Sequence, residues 1–375
     1  MNATSGHTKM NAPTAETHVV TEIQGRVGCI TLNRPRALNA LSLEMIRTIT
    51  QALQAWKDDG MVLAVVVCGV NKEGPFGAFC AGGDIRFFHQ AALAGDPALE
   101  DFFTEEYALN HLIHTYPKPY VALMDGIVMG GGMGISQGAS LRIVTERSKL
   151  AMPETNIGLF PDVGGGYFLS RCPGRLGEYL ALTGHVLGAR DAMAAGLADG
   201  FIDSGRLPGL WASLAQTPFE NGASVERWCA SHLNTTVTLG AWPMQEVDRV
   251  FGLPDMVQII ATLEATDSDW ARATAATLRQ RSPLMLHVVL EQVRRARAMG
   301  LADDLRMERD MVHRCFHLRP AAQSETVEGI RALAVDKDHT PRWNPPRIED
   351  VTPAQVAAFF ESPWSVDTHP LHQLG

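Results

Sequence analysis

The chain has 375 residues, 46% hydrophobic and 19% charged, with a formal net charge of −9. That length allows two domains or one large domain with an appendage, and the composition suits a globular protein with a sizeable core. The acidic balance gives nucleic acid no long-range attraction, and no window approaches the roughly eighteen consecutive apolar residues of a membrane span.

Residues 1–18 are polar, with one lysine, no arginine and no apolar stretch. That pattern excludes a signal peptide, argues against a transit peptide and reads as a disordered tail. The strands predicted next, over residues 19–22 and 27–32, flank a turn at Gln24-Gly25-Arg26. Ser42 is placed to cap a helix whose apolar face is Met45, Ile46, Ile49, Leu53 and Trp56. Residues 61–67 form a continuous apolar, β-branched run, the mark of a strand buried on both faces. The loop Gly74-Pro75-Phe76-Gly77-Ala78-Phe79-Cys80-Ala81-Gly82-Gly83-Asp84 follows it. A helix is predicted from about Pro97 to His114, stopping before Pro117. Residues 120–124 are the next buried strand, and they run into the cluster Asp125-Gly126-Ile127-Val128-Met129-Gly130-Gly131-Gly132-Met133-Gly134. Residues 141–145 and 149–152 are further strands.

The repeating unit is strand, glycine-rich loop, helix, which defines an α/β class with parallel strands. Ligands in such folds gather at loops after the strands' carboxyl ends, where both glycine loops fall. Beyond about residue 207 the pattern is helical to residue 333, with Ser282-Pro283 opening a helix along Leu286, Val289, Leu290 and Val293. The basic run Arg294-Arg295-Ala296-Arg297 reads as a solvated helix face. Residues 336–350, rich in proline and charge, read as a linker or surface loop, and Thr352-Pro353 begins a last short helix through Phe360. The expected organisation is a tail over 1–18, an α/β core over 19–207 and a helical C-terminal domain over 208–375.

The six cysteines are scattered, with no zinc-type spacing and no disulfide framework, so no metal site is expected and a reducing compartment, the cytoplasm, is. No GxSxG pattern supplies a nucleophile for His89, His111, His114 or His313, which read as structural or surface residues. Chemistry concentrates instead in Met152-Pro153-Glu154-Thr155-Asn156-Ile157-Gly158-Leu159-Phe160-Pro161-Asp162-Val163-Gly164-Gly165-Gly166-Tyr167. Two carboxylates stand eight residues apart there in apolar, Gly/Pro-rich sequence. A carboxylate in such surroundings is costly to desolvate, so it is either partnered or used. Glu154 could instead be a first-turn glutamate and Asp162 a helix N-cap. Carboxylates beside exposed backbone donors are the ingredients of acyl-group chemistry.

The chain resembles the crotonase (enoyl-CoA hydratase/isomerase) superfamily and, within it, the 3-hydroxyisobutyryl-CoA hydrolase family. The resemblance rests on Asn33-Arg34-Pro35-Arg36-Ala37-Leu38-Asn39-Ala40-Leu41, on Phe79 through Asp84, on Asp125 through Gly134 and on Met152 through Gly166. It extends to Asp336-Lys337-Asp338-His339 and Trp343-Asn344-Pro345. It implies a crotonase-like ββα spiral core with a C-terminal all-helical region. It also implies hydrolysis of a 3-hydroxyacyl-CoA thioester, most closely 3-hydroxyisobutyryl-CoA, in valine breakdown. In the superfamily, amides matching Gly83 and Gly131 bind the thioester oxygen, and Glu154 and Asp162 match catalytic positions. Glu106 would meet the acyl hydroxyl, while Arg36 and the backbone of Ala37, Ala81 and Gly82 would cradle the CoA nucleotide. CoA enters as part of the substrate, and no metal or redox cofactor is implied; assembly into homo-oligomers is left open. Gly134 stands where enoyl-CoA hydratases carry a glutamate, which weighs against the alternative of a hydratase or isomerase. A non-catalytic acyl-CoA-binding protein is the other alternative. Residues 323–329 and the tail beyond Trp364 depart from the family's pattern, in the helical region where acyl selectivity would be set.

Overall fold

β-Branched runs build a sheet whose strand ends converge on one edge. In the computed structural model, which describes residues 17–234 and 236–375, β1 (Val19–Gln24) and β2 (Val27–Leu32) form an antiparallel hairpin turned at Gly25. The tail expected at the N-terminus lies, up to residue 16, outside the described residues. β3 (Ala64–Gly69) follows, then β4 (Tyr120–Met124), β5 (Ile127–Met129), β6 (Leu141–Val144), β7 (Lys149–Ala151) and β8 (Gly200–Phe201). The main sheet has the order β1-β2-β3-β4-β6-β8, parallel from β2 onward, and β5 pairs with β7 in a small second parallel sheet. β3 starts later than its apolar run suggests. Met61 sits in a turn and is 64% exposed, while the Arg26 guanidinium holds the carbonyls of Gly60 and Met61.

The helix capped by Ser42 runs over Leu43–Lys57 and buries the five residues named for its apolar face. The helix Ile85–Ala94 was not predicted; it follows the glycine loop directly, with Asp84 accepting from the Phe87 amide at its start and Gly95 left-handed at its end. Both signals stand in the sequence. The next helix, Ala98–His114, lies where proline and periodicity put it.

Two buried polar residues fix the loops at the strand ends. Asn39 Nδ2 donates to the carbonyls of Val70, Ala78 and Phe79, tying down the loop after β3. Asp125, 2% exposed, accepts from the Gly77 amide, the Thr145 hydroxyl and the Arg147 guanidinium, locking that loop to the β4–β5 junction. Buried polar groups satisfied this completely add geometric definition to the packing.

After β8 the described chain forms helices joined by loops, with no further strand. Helices Leu207–Leu214 and Gly222–Ser231 cover one face of the sheet with Ile202, Leu207, Leu210 and Val225. The helices from Met244 to His317 share one apolar cluster with the other face. Helix Pro283–Ala296 is buried nearly all round, as a core helix must be. Its basic end is only partly a solvated face: Arg295 is exposed and pairs with Glu291 one turn away. Arg297 pairs with the fully buried Glu178, and Arg294 holds the carbonyls of Leu253 and Pro254. Those partners come from distant sequence, which a local charge pattern does not register. All six cysteines are free and buried. No described helix is long and apolar enough to cross a membrane.

Candidate active site

A cavity of about 200 Å³ opens where the loops after β3, β5 and β7 meet. Ala81, Gly82 and Gly83 form one wall, Gly130 and Gly131 a second, and Glu106, Glu154 and Asp162 reach it from three separate segments.

Gly83 is bridged to Leu41 in parallel register: the Leu41 amide donates to Gly82 O and the Asp84 amide to Leu41 O. That pattern leaves the Gly83 N–H without a backbone acceptor among the described residues. Gly131 is the first residue of helix Gly131–Gln137, so its N–H has no intrahelical partner either. The two amides are neighbours, because a methyl group placed on Gly131 would lie 3.4 Å from Gly83 N. Glycine is required here by close approach. The same methyl would lie 2.5 Å from Glu106 Oε1, and one on Gly130 would lie 2.8 Å from Glu154 Oε1.

Glu154 opens the 3-10 turn Glu154–Ile157 and is 7% exposed, with Oε2 unpartnered. Burial pushes its pKa well above the usual carboxylate range, and the charge of Asp162 adds to that. Asp162 is not the N-cap its position suggested. The cap of helix Gly165–Ser170 is Gly164, without a side-chain bond, and Asp162 Oδ2 instead accepts from the Tyr107 hydroxyl at 2.9 Å. Burial pushes Asp162 up to about 7, against the opposing pull of that hydrogen bond. Glu106 is 2% exposed with Oε1 unpartnered, not a surface charge; burial raises its pKa well up, with contributions from Asp162 and Glu154. Three carboxyls thus face one cavity, close enough that a charge on Asp162 disfavours charge on the other two.

The structure brings together Gly83, Gly131, Glu154, Asp162, Glu106, Ala81 and Gly82. Arg36 and Ala37 lie outside the lining, on the 3-10 turn Pro35–Ala37 with Arg36 exposed. That turn joins the wall through the Ala81 amide, which donates to Leu38 O. The space beside Gly134 is filled: a methyl there would lie 2.7 Å from Val163 Cβ and 2.9 Å from Asn110 Nδ2. Sequence reasoning missed Tyr107, Asn156 and Leu333, which belong to the site. Tyr107 adjoins Glu106, but nothing local shows that its hydroxyl meets a residue of another loop. The divergent segment 323–329 backs the Glu154 turn, with Thr326 donating to Gly158 O and Gly329 packed on Ile157.

Among the described residues, Glu100, His313 and His317 bring donor atoms within 4.8 Å of one another. Buried Arg309 already pairs with Glu100. Burial opposes ionisation of Glu100, but the hydrogen bonds from His313 and His317 and the Arg309 charge outweigh it and hold the carboxyl low. With Arg309 the trio is a hydrogen-bonded knot between helices Ala98–His114 and Leu301–His317.

Tyr107→Phe removes the donor that favours the ionised form of Asp162. The Asp162 pKa therefore rises above about 7. The limb of the pH–kcat profile that tracks it is expected to move to higher pH, measured over about pH 5 to 9. A static limb, or one moved toward acid, would contradict the contact.

Comparison with known proteins places the site in context. The family model described as enoyl-CoA hydratase/isomerase matches residues 27–360. The chain is 41% identical over 344 residues to "3-hydroxyisobutyryl-CoA hydrolase, mitochondrial" of Xenopus tropicalis, covering 90% of this chain and 87% of that protein. It is 38% identical over 355 residues to "Probable 3-hydroxyisobutyryl-CoA hydrolase 3" of Arabidopsis thaliana, covering 92% of each. Among solved structures, a carnitinyl-CoA dehydratase from Mycobacterium thermoresistibile superposes with a TM-score of 0.82 at 37% identity, over 95% of this chain and 99% of that one. The cytoplasmic location expected from the cysteines does not stand, since the Xenopus relative is named as mitochondrial. Unpaired thiols report a reducing environment, not which reducing compartment holds the protein.

Proposed function

The chain belongs to the enoyl-CoA hydratase/isomerase family, and from that premise we propose that it hydrolyses a short 3-hydroxyacyl-CoA thioester, 3-hydroxyisobutyryl-CoA, in valine breakdown. Relatives that match over most of both chains carry that activity in their names. The observation that carries the chemistry is the pair of unpartnered amides, Gly83 and Gly131, beside the unpartnered Glu154 carboxylate.

In this reading the thioester oxygen sits between the two N–H groups. As the carbonyl carbon is attacked, that oxygen gains negative charge, and each preorganised donor is worth about 2.7–4 kcal/mol to the transition state. Glu154 removes a proton from water as the water oxygen bonds to the carbonyl carbon. The C–S bond then breaks, a proton passes to sulfur, and hydroxy acid and CoA leave. In the covalent variant the Glu154 carboxylate itself attacks, expelling the thiolate, and water cleaves the resulting anhydride; label found in the protein after single turnover in ¹⁸O-water would establish that route. Protonated Asp162 supplies a proton to sulfur or a hydrogen bond to the substrate. Glu106 accepts from the 3-hydroxyl. A cavity of about 200 Å³ suits a short branched acyl group.

The hydratase reading needs a second acid–base carboxylate on the Gly134 loop, and the space there is taken by Val163 and Asn110. The binding-only reading leaves three buried carboxylates unexplained, since each costs stability and none aids mere retention. The deciding test is a panel of 3-hydroxyisobutyryl-, 3-hydroxypropionyl- and crotonyl-CoA. Thiol release from the hydroxyacyl esters supports hydrolysis. Loss of crotonyl-CoA absorbance without thiol release overturns it.

A further inference from the structure

We propose that Glu308, with Asp304 and Gln292, is a positioning device for Asp162: the C-terminal helices grip the backbone on both sides of that residue and hold it to the cavity. This rests on the hydrolase reading above and extends it to residues remote from the catalytic loops.

The grip is made of four backbone groups and three fully buried side chains. On helix Pro283–Ala296, Gln292 Nε2 donates to Pro161 O at 2.6 Å and to Glu308 Oε1 at 3.0 Å. On helix Leu301–His317, Glu308 Oε2 accepts from the Gly164 amide at 2.7 Å and Oε1 from the Gly166 amide at 2.9 Å. One helical turn earlier, Asp304 Oδ2 accepts from the Tyr167 amide at 2.8 Å. Pro161 precedes Asp162, and the three amides follow it.

The backbone between needs holding. Val163 has φ 57° and Gly164 has φ 83°, two successive left-handed residues. Valine is β-branched, and such a conformation costs on the order of 1–3 kcal/mol unless its surroundings impose it. The turn aims Asp162 at the cavity and at Tyr107 instead of letting it cap the following helix. Glu308 and Asp304 take the amides that Asp162 leaves, so the aspartate is free for the site. A carboxylate is suited to this, because its two oxygens accept from two amides at once. Loss of one acceptor would leave a buried donor unmet.

The test is Glu308→Gln in the full-length protein. The amide fills the same space but accepts on one side only and turns an NH₂ toward the other N–H. With 3-hydroxyisobutyryl-CoA, kcat is expected to fall about 10- to 100-fold with KM changed less than about threefold, the signature of a misplaced group and not of weakened binding. In an Asp162→Asn background, the same change is expected to add no further loss, because both act through one residue. Amide hydrogen exchange of the peptide spanning residues 161–168 should accelerate, with the rest of the chain unchanged. A kcat within about twofold of the parent, or a fully additive loss in the Asp162→Asn background, would overturn the proposal. If the parent releases no thiol from any 3-hydroxyacyl-CoA, the hydrolase reading has failed, and the exchange measurement alone decides whether the grip exists; unchanged exchange refutes it.

Discussion

Glu154→Gln protein is expected to release thiol from 3-hydroxyisobutyryl-CoA about 10³-fold more slowly than the parent, with KM changed only a few-fold. The glutamine keeps the shape of the side chain and removes its capacity to take a proton or to attack carbon. Because Glu154 makes no hydrogen bond through Oε2, no network collapses when it is replaced. Its folded pKa is raised by burial, so stability contributed by this group is present at low pH and lost as pH rises from the unfolded value through the folded one. The neutral amide escapes that penalty. Calorimetry at about pH 8 should therefore find the variant's Tm at or above that of the parent. Slow turnover with an undiminished Tm assigns the loss to chemistry. Wild-type turnover would remove Glu154 from the mechanism.

Gly131→Ala is expected to lower kcat about 10²–10³-fold, the scale for loss of one oxyanion donor. The added methyl would lie 2.5 Å from Glu106 Oε1 and 3.2 Å from Leu41 Cδ1, both in a buried wall. Leu41 is fixed by its bridge to Gly83, so the strain turns the Gly131 amide or displaces Glu106. Full turnover by this variant in the thiol-release assay would mean that the Gly131 amide is not aimed at the reacting oxygen.

These residues differ in how visible they were beforehand. β2, β4 and the helix from Ser42 were legible because local pattern and burial agree there. The glycine loops and both carboxylates stood out because polar and side-chain-free residues in apolar surroundings have few uses. The helix Ile85–Ala94 was missed although its cap residues are ordinary, since the glycine loop runs straight into it. Glu308 was invisible for a different reason. On helix Leu301–His317 it looks like any charged helical residue, and only the fold reveals that it meets amides more than a hundred positions away. The basic run at 294–297 misled in part in the same way, since Arg294 and Arg297 meet remote carbonyls and Glu178 while Arg295 keeps a local surface pair. Periodicity reports which face a residue occupies but not which distant element covers that face.

The lining of the cavity has one more effect, on traffic through it. Glu106, Glu154 and Asp162 face the space, and no lysine or arginine is among the residues that line it. As pH rises through their raised pKa values these carboxyls ionise, and the chamber comes to repel anions. Under those alkaline conditions acyl groups that end in a carboxylate of their own, malonyl or succinyl, would be disfavoured, while a neutral hydroxyl would not. Hydrolysis turns that neutral guest into a carboxylic acid, so inhibition by free 3-hydroxyisobutyrate should weaken as pH rises in steady-state assays.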